Sequence, residues 1–110
     1  MTYVLFVYDR ADSLAGMPEE TQQAVFAEYR ALQALPGLVG HRLDAPSTAV
    51  TVSRRGDETT VERQPFNHDL PLAGFYLLDT DDREQAVDIA ARIPAARLGG
   101  AVEIRPLWTE

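Results

Sequence analysis

The chain has 110 residues, of which 45% are hydrophobic and 25% charged, with a formal net charge of −7 and no cysteine. That length makes one domain over residues 1–110 with a modest core. The acidic balance argues against phosphate-backbone binding and disfavours anionic membranes. The missing cysteines exclude disulfides, thiolate metal sites and a cysteine nucleophile, which fits a cytoplasmic protein.

In chain order, Tyr3 to Tyr8 is an apolar, β-branched and aromatic run that predicts the first strand. It is too short to span a membrane and lacks the basic flank of a signal peptide. Asp9 to Gly16 reads as a polar loop. Pro18, followed by Glu19 and Glu20, marks a helix start, because proline is pre-set for that position and acids favour the dipole. Val25, Tyr29, Leu32 and Leu35 recur at helical spacing, and Pro36-Gly37 stops the helix. Leu38 to Leu43 and Ala49 to Arg54 are the next strands. Arg55 to Glu58 is a turn, and Thr59 to Arg63 is the returning hairpin arm. A proline-flanked loop, Gln64 to Pro71, leads to the strongly apolar strand Leu72 to Asp79. Asp81 with Glu84 has capping-box spacing for a second helix, whose buried stripe is Ala86, Ile89, Ala90 and Ile93, and Pro94 ends it. Ala101 to Leu107 is the last strand.

This order matches an α+β, ferredoxin-like split βαβ plan: an antiparallel sheet with two helices on one face. Side chains alternate across a strand. Tyr3, Leu5 and Val7 therefore oppose Val4, Phe6 and Tyr8, while Phe75 and Leu77 oppose Tyr76 and Leu78. Both faces are apolar, and two helices hide only one. Soluble monomers rarely leave so large an apolar face exposed, so a homodimer is expected in which two sheets pack face to face, or at least share an edge.

Pro65-Phe66, Leu72-Ala73-Gly74-Phe75-Tyr76, Ala90-Ala91-Arg92-Ile93-Pro94 and Gly100-Ala101-Val102-Glu103-Ile104-Arg105-Pro106-Leu107, in this order and spacing, resemble the YCII-related proteins, in the branch named for an Asp-Gly-Pro-Phe motif. The resemblance implies a dimeric α+β barrel of ferredoxin-like subunits. It also implies a pocket in which a His-Asp pair does acid/base work, or else an association with extracytoplasmic-function sigma factors. The chain departs from that pattern where the motif's Asp and Gly become Arg63 and Gln64. An arginine stays protonated and has no acceptor, so it cannot serve as a carboxylate base.

Two histidines are available for proton transfer. His41 shares a strand face with Val39 and Leu43 and is read as pointing inward, as a pocket-wall or core imidazole or as a catalyst. His68 and Asp69 sit in the proline-bounded loop, as a solvated turn or as site residues. Neighbours in sequence orient one another poorly, so a dyad would pair His68 with Asp9 or Glu103 across the fold. Glu103 and Arg105 share one strand face, either as an interface ion pair or with Arg105 joining Arg63 or Arg42 on an anionic ligand. Asp79, Asp81, Asp82 and Glu84 lack calcium-loop spacing and read as a helix start. No phosphate loop, dinucleotide fingerprint or nucleophile elbow is present, so neither cofactor nor metal is expected.

Two functions follow. One is a lyase or hydrolase for a small anionic molecule, with a pocket on the sheet face near Pro65-Phe66. His68, His41 and Asp69 would do the chemistry, Arg63, Glu103 and Arg105 would bind the ligand, and Phe66 and Tyr76 would form its apolar wall. The other is a non-catalytic ligand-binding or regulatory partner module, favoured by the loss of the motif's Asp.

Overall fold

The computed structural model describes residues 1–10 and 12–109. Ala11, inside the expected Asp9–Gly16 loop, and Glu110 lie outside the described residues. The elements are β1 (Thr2–Tyr8), α1 (Glu19–Gln33), β2 (Leu38–Arg42), β3 (Thr51–Arg55), β4 (Glu58–Glu62), β5 (Leu72–Asp79), α2 (Arg83–Arg92) and β6 (Ala101–Pro106).

Four strands form one antiparallel sheet in the order β2-β5-β1-β6. This is the ferredoxin-like arrangement expected from the chain order, with the β3–β4 hairpin inserted between β2 and β5. The hairpin forms a separate two-stranded sheet. Tyr3, Leu5 and Val7 of β1 pack with Tyr76 and Leu78 of β5, Leu32 of α1, and Ala86, Ile89 and Ala90 of α2 in one core. Both helices therefore cover the same face. The strongest packing is at Leu5, Leu32, Leu78 and Ile93, which are completely enclosed.

The helices are set by local chemistry close to that expected. Pro18 sits immediately before α1, Glu19 and Glu20 occupy its first turn and Arg30 its last. Gly37, at φ 75°, makes the tight reversal into β2. At α2 the expected cap is corrected by one residue. Asp82, not Asp81, is the N-cap, and its carboxylate accepts from the Glu84 backbone N–H at 3.0 Å. Asp81 instead lies 3.0 Å from the Met1 ammonium, whose positive charge competes for it.

The other face of the sheet carries no helix. Val4, Phe6 and Tyr8 of β1, Phe75 and Leu77 of β5, and Val39 of β2 alternate onto it. Val39 is 55% exposed. The molecule measures 46 × 45 × 18 Å, the thickness of one sheet and one helix layer. Among the described residues no helix is long and apolar enough to cross a membrane.

Candidate functional site

Asp9 follows the last residue of β1. The alternation that buries Tyr3, Leu5 and Val7 carries its side chain to the helix-covered side. Its backbone N–H donates to the Pro71 carbonyl at 3.1 Å, which ties the end of β1 to the start of β5. Here β5 has one residue more than β1 can match: Val7 faces Gly74 while Tyr8 faces Leu72. Such irregularities bend a strand end and re-aim the side chains beyond it. Ser13 Oγ donates to Asp9 Oδ2 at 3.0 Å. Asp9 Oδ1 is shut away from solvent and has no hydrogen-bond partner. A buried acceptor left unmade costs about 1–3 kcal/mol, so this oxygen calls for an explanation beyond folding.

Beside Asp9 lies a cavity of about 520 Å³ between α1, the loop after β1 and the sheet. Its floor includes Gly40 and Gly74, which lie on the helix side without side chains to fill it. The Tyr76 ring covers Gly40 so closely that a Cβ there would lie 2.5 Å from Tyr76 Cε1. A Cβ on Gly74 would lie 2.7 Å from the His41 carbonyl oxygen. These glycines are therefore required by close approach, Gly40 to the Tyr76 ring and Gly74 to the β2 backbone, and both border the cavity. Tyr29 and Phe26 enter from α1, while Arg42 sits at the end of β2 on the same side as Asp9. A second cavity, of about 360 Å³, lies between the helices, and its charged pair, Arg97 and Glu28, is already joined.

The two tyrosines that line the cavity are held in their neutral form. Burial, then the Asp9 charge and Tyr76, push the Tyr29 phenol up to about 12, against the Ala95 backbone and the Arg42 guanidinium. Burial also raises Tyr76. Both tyrosines stay protonated near neutral pH and present O–H donors to the cavity. The Tyr29 shift has a consequence for stability. Its folded pKa lies above the unfolded value of about 10, so its contribution is complete below pH 10 and is lost as pH rises towards about 12. Tyr29→Phe removes that loss. Between pH 10 and 12 the melting temperature of the variant falls less steeply than that of the wild type, and equal slopes in the two proteins would contradict the burial of Tyr29 beside Asp9.

Of the residues singled out from sequence, His41 and Tyr76 line this cavity. His41 does not point into the core as expected. It is exposed, on the helix-free face, with its ring against Phe75 at 5.2 Å between centroids. It lies three positions along the strand from Leu38, which faces the core, so it falls on the opposite side. Arg63, Phe66, His68, Asp69, Glu103 and Arg105 are not among the lining residues. Phe66 is 88% exposed. The loop around it closes on itself through Asn67 Oδ1, which accepts from the Leu70 N–H at 3.1 Å. Glu103 and Arg105 are exposed on β6 and form no ion pair among the described residues. Glu103 Oε1 lies 3.5 Å from Tyr8 Oη. The structure thus does not bring Arg63, His68 and Arg105 to one cavity within the protomer. Sequence reasoning passed over Ser13 and Tyr29 as site residues and named Asp9 and Arg42 only as partners. Extending the strand alternation one residue past Tyr8 would have placed Asp9 on the core side.

A two-layer, ferredoxin-like α+β fold with an acid-bearing cavity at one end of its sheet is the class of protein that this geometry defines. The chain belongs to the YCII-related family, whose domain profile matches residues 1–110. Among solved structures it is similar to the 5-chloro-2-hydroxyhydroquinone dehydrochlorinase of Burkholderia phenoliruptrix AC1100, in complex with 2,5-dihydroxybenzoquinone. The two share 14% identity and a TM-score of 0.51 over 100% of this chain and 96% of that one. A search of curated proteins found no match.

Proposed function

We propose that this chain is a lyase-type acid/base enzyme for a small oxygenated molecule, with Asp9 as the proton acceptor. The observation that carries this reading is Asp9 Oδ1, a buried carboxylate oxygen without a partner at the edge of a cavity. A general base needs a free acceptor held in place by its other contacts, and Ser13 supplies the hold through Oδ2. In an elimination, Oδ1 takes a proton from the ligand. The electron pair left behind forms a new double bond, and the leaving group departs with its own bonding pair. Arg42 offers two parallel donors to an anionic oxygen. Tyr29 and Tyr76, which line the cavity, supply neutral O–H donors for charge that develops on a ring oxygen.

The similar dehydrochlorinase, bound to a small dihydroxyquinone, supports the choice of a lyase and of a planar oxygenated ligand. The reading also takes residues 1–110 as a single unit that works as a homodimer joined through the helix-free face. The half-buried Phe6, Phe75 and Leu77 and the exposed Val39, which share the helix-free face, support that pairing.

Titration of the isotope-labelled protein with 2,5-dihydroxybenzoquinone, followed by amide NMR, tests the site. The expected shifts centre on Asp9, Tyr29, Arg42 and Gly74. Shifts confined to residues 64–71, or none at millimolar probe, would overturn the reading. Binding at these residues without turnover of any ring compound would leave a ligand-binding module and remove the enzyme.

A further inference from the structure

The β3–β4 hairpin has no part in the site, and its construction needs a reason of its own. Its strands pair only with each other and make no substantial packing against the rest of the chain. A lone two-stranded ribbon is marginal in water. One face is polar: Thr51, Ser53 and Arg55 lie opposite Glu62, Thr60 and Glu58. The other is led by the cross-strand pair Val52 and Val61, 62% and 55% exposed, with Val50 one step before it on the same side. A ribbon meant for solvent on both sides would not carry a valine strip. The hairpin also stretches the molecule. The radius of gyration is 15.9 Å, where a compact chain of this length has about 13 Å.

We infer that the hairpin is an arm that grips a second copy of this chain and lays its valine strip on the partner's helix-free sheet face. The inference rests on the homodimer reading above and names the element that secures it. Three observations select a second copy as the occupant. First, the chain leaves two apolar surfaces uncovered, the strip on the arm and the sheet face bearing Val39, Phe75 and Leu77, and a two-fold pairing covers both at once in each copy. At strand spacings of about 4.8 Å and lengths of about five residues, the two-stranded arm has a flat footprint of roughly 160 Å², so the two arms together bury roughly 320 Å² on each copy, which adds to the sheet-face contact of the dimer towards the ~800 Å² per partner of a stable interface. Second, the charges allow it. Residues 51–63 hold three arginines and three acids and are neutral, on a chain of −7, so the arm meets an acidic copy without net repulsion. On the open face, Glu103 and Arg105 stand two residues apart with opposite signs, so β6 adds no net charge to that face. Third, the arm springs from the cavity. Leu43, Asp44 and Pro46, at its root, line the cavity, as do His41 and Phe75 of the helix-free face. The root of the arm therefore borders the rim of the site.

Sedimentation equilibrium of the full chain tests the arm, with wild type compared to the double variant Val52→Asp, Val61→Asp and to the polar-face control Ser53→Asp, Thr60→Asp. The expected result is a wild-type dimer, a control that dimerises equally well, and an arm variant weakened by roughly 100-fold or more, since carboxylates would have to be buried unpaired. An arm variant that dimerises as tightly as wild type overturns the arm while leaving the dimer standing. A monomeric wild type overturns both. Hydrogen exchange on the unaltered protein decides the matter if the arm variant does not fold. Amides 51–62 become protected as concentration rises through dimer formation, and exchange in the arm that is independent of concentration overturns the proposal.

Discussion

Replacing Asp9 with asparagine lowers turnover by roughly 10²- to 10⁴-fold, the range for loss of a positioned general base. The substitution keeps size and shape, and the amide oxygen still accepts from Ser13 Oγ, which now donates at 3.0 Å. What is lost is the second oxygen, the unpartnered Oδ1, replaced by an NH₂ that cannot take a proton. No ion pair is broken, because none of the salt bridges among the described residues involves Asp9. The melting temperature therefore stays close to wild type while kcat falls and substrate binding persists. A mutation that removed only a structural contact would do the reverse, lowering the melting temperature with turnover per folded molecule unchanged. Buried groups that help chemistry at the expense of stability are common at active sites. Asp9 fits that pattern because its environment leaves one oxygen poorly served.

Gly74→Val has the largest effect on the fold. Gly74 is buried where β5 pairs with Arg42 of β2, and a Cβ would come within 2.7 Å of the His41 carbonyl oxygen. That oxygen belongs to the backbone of a paired strand, so it cannot swing aside. The sheet must spread, and overpacking of this kind costs about 1–3 kcal/mol. For a chain of 110 residues that is a fall of roughly 4–24 °C in melting temperature. The added methyl groups also stand where the cavity floor is now bare, so ligand binding is lost together with stability. Thermal melts and probe titration on the same preparation read both effects. A variant that melts like wild type and binds like wild type would show that the cavity does not depend on Gly74.

Much of the fold was legible because its signals are local and periodic. The apolar run from Tyr3 to Tyr8 could only be a strand, and Ala86, Ile89, Ala90 and Ile93 could only bury one stripe of a helix. The two-faced sheet followed from alternation alone. The cap of α2 was misjudged by one residue because Asp81 and Asp82 are chemically equivalent in sequence. Asp82 caps the helix, while Asp81 meets the Met1 ammonium, 80 residues away in the chain. The site was harder to see for the same reason. Asp9, Tyr29, Arg42 and Gly74 are separated by intervals with no motif, and they meet only because β1 and β2 run in the same direction on either side of β5. His68 and Asp69 stood out as residue types suited to catalysis, yet their loop closes locally through Asn67 and Leu70. Strand parity carries information about His41 that residue type does not: alternation from buried Leu38 turns it away from the helices.

The most direct measurement compares wild-type protein with Asp9→Asn, side by side, on a panel of small halogenated and hydroxylated ring compounds, with halide release and proton exchange followed at neutral pH. The expected result is turnover by the wild type on at least one planar oxygenated ring and a loss of at least two orders of magnitude in the asparagine variant, with unchanged melting. Equal rates in the two proteins would contradict the role of Asp9 and with it the assignment of the cavity beneath α1 as the reaction site.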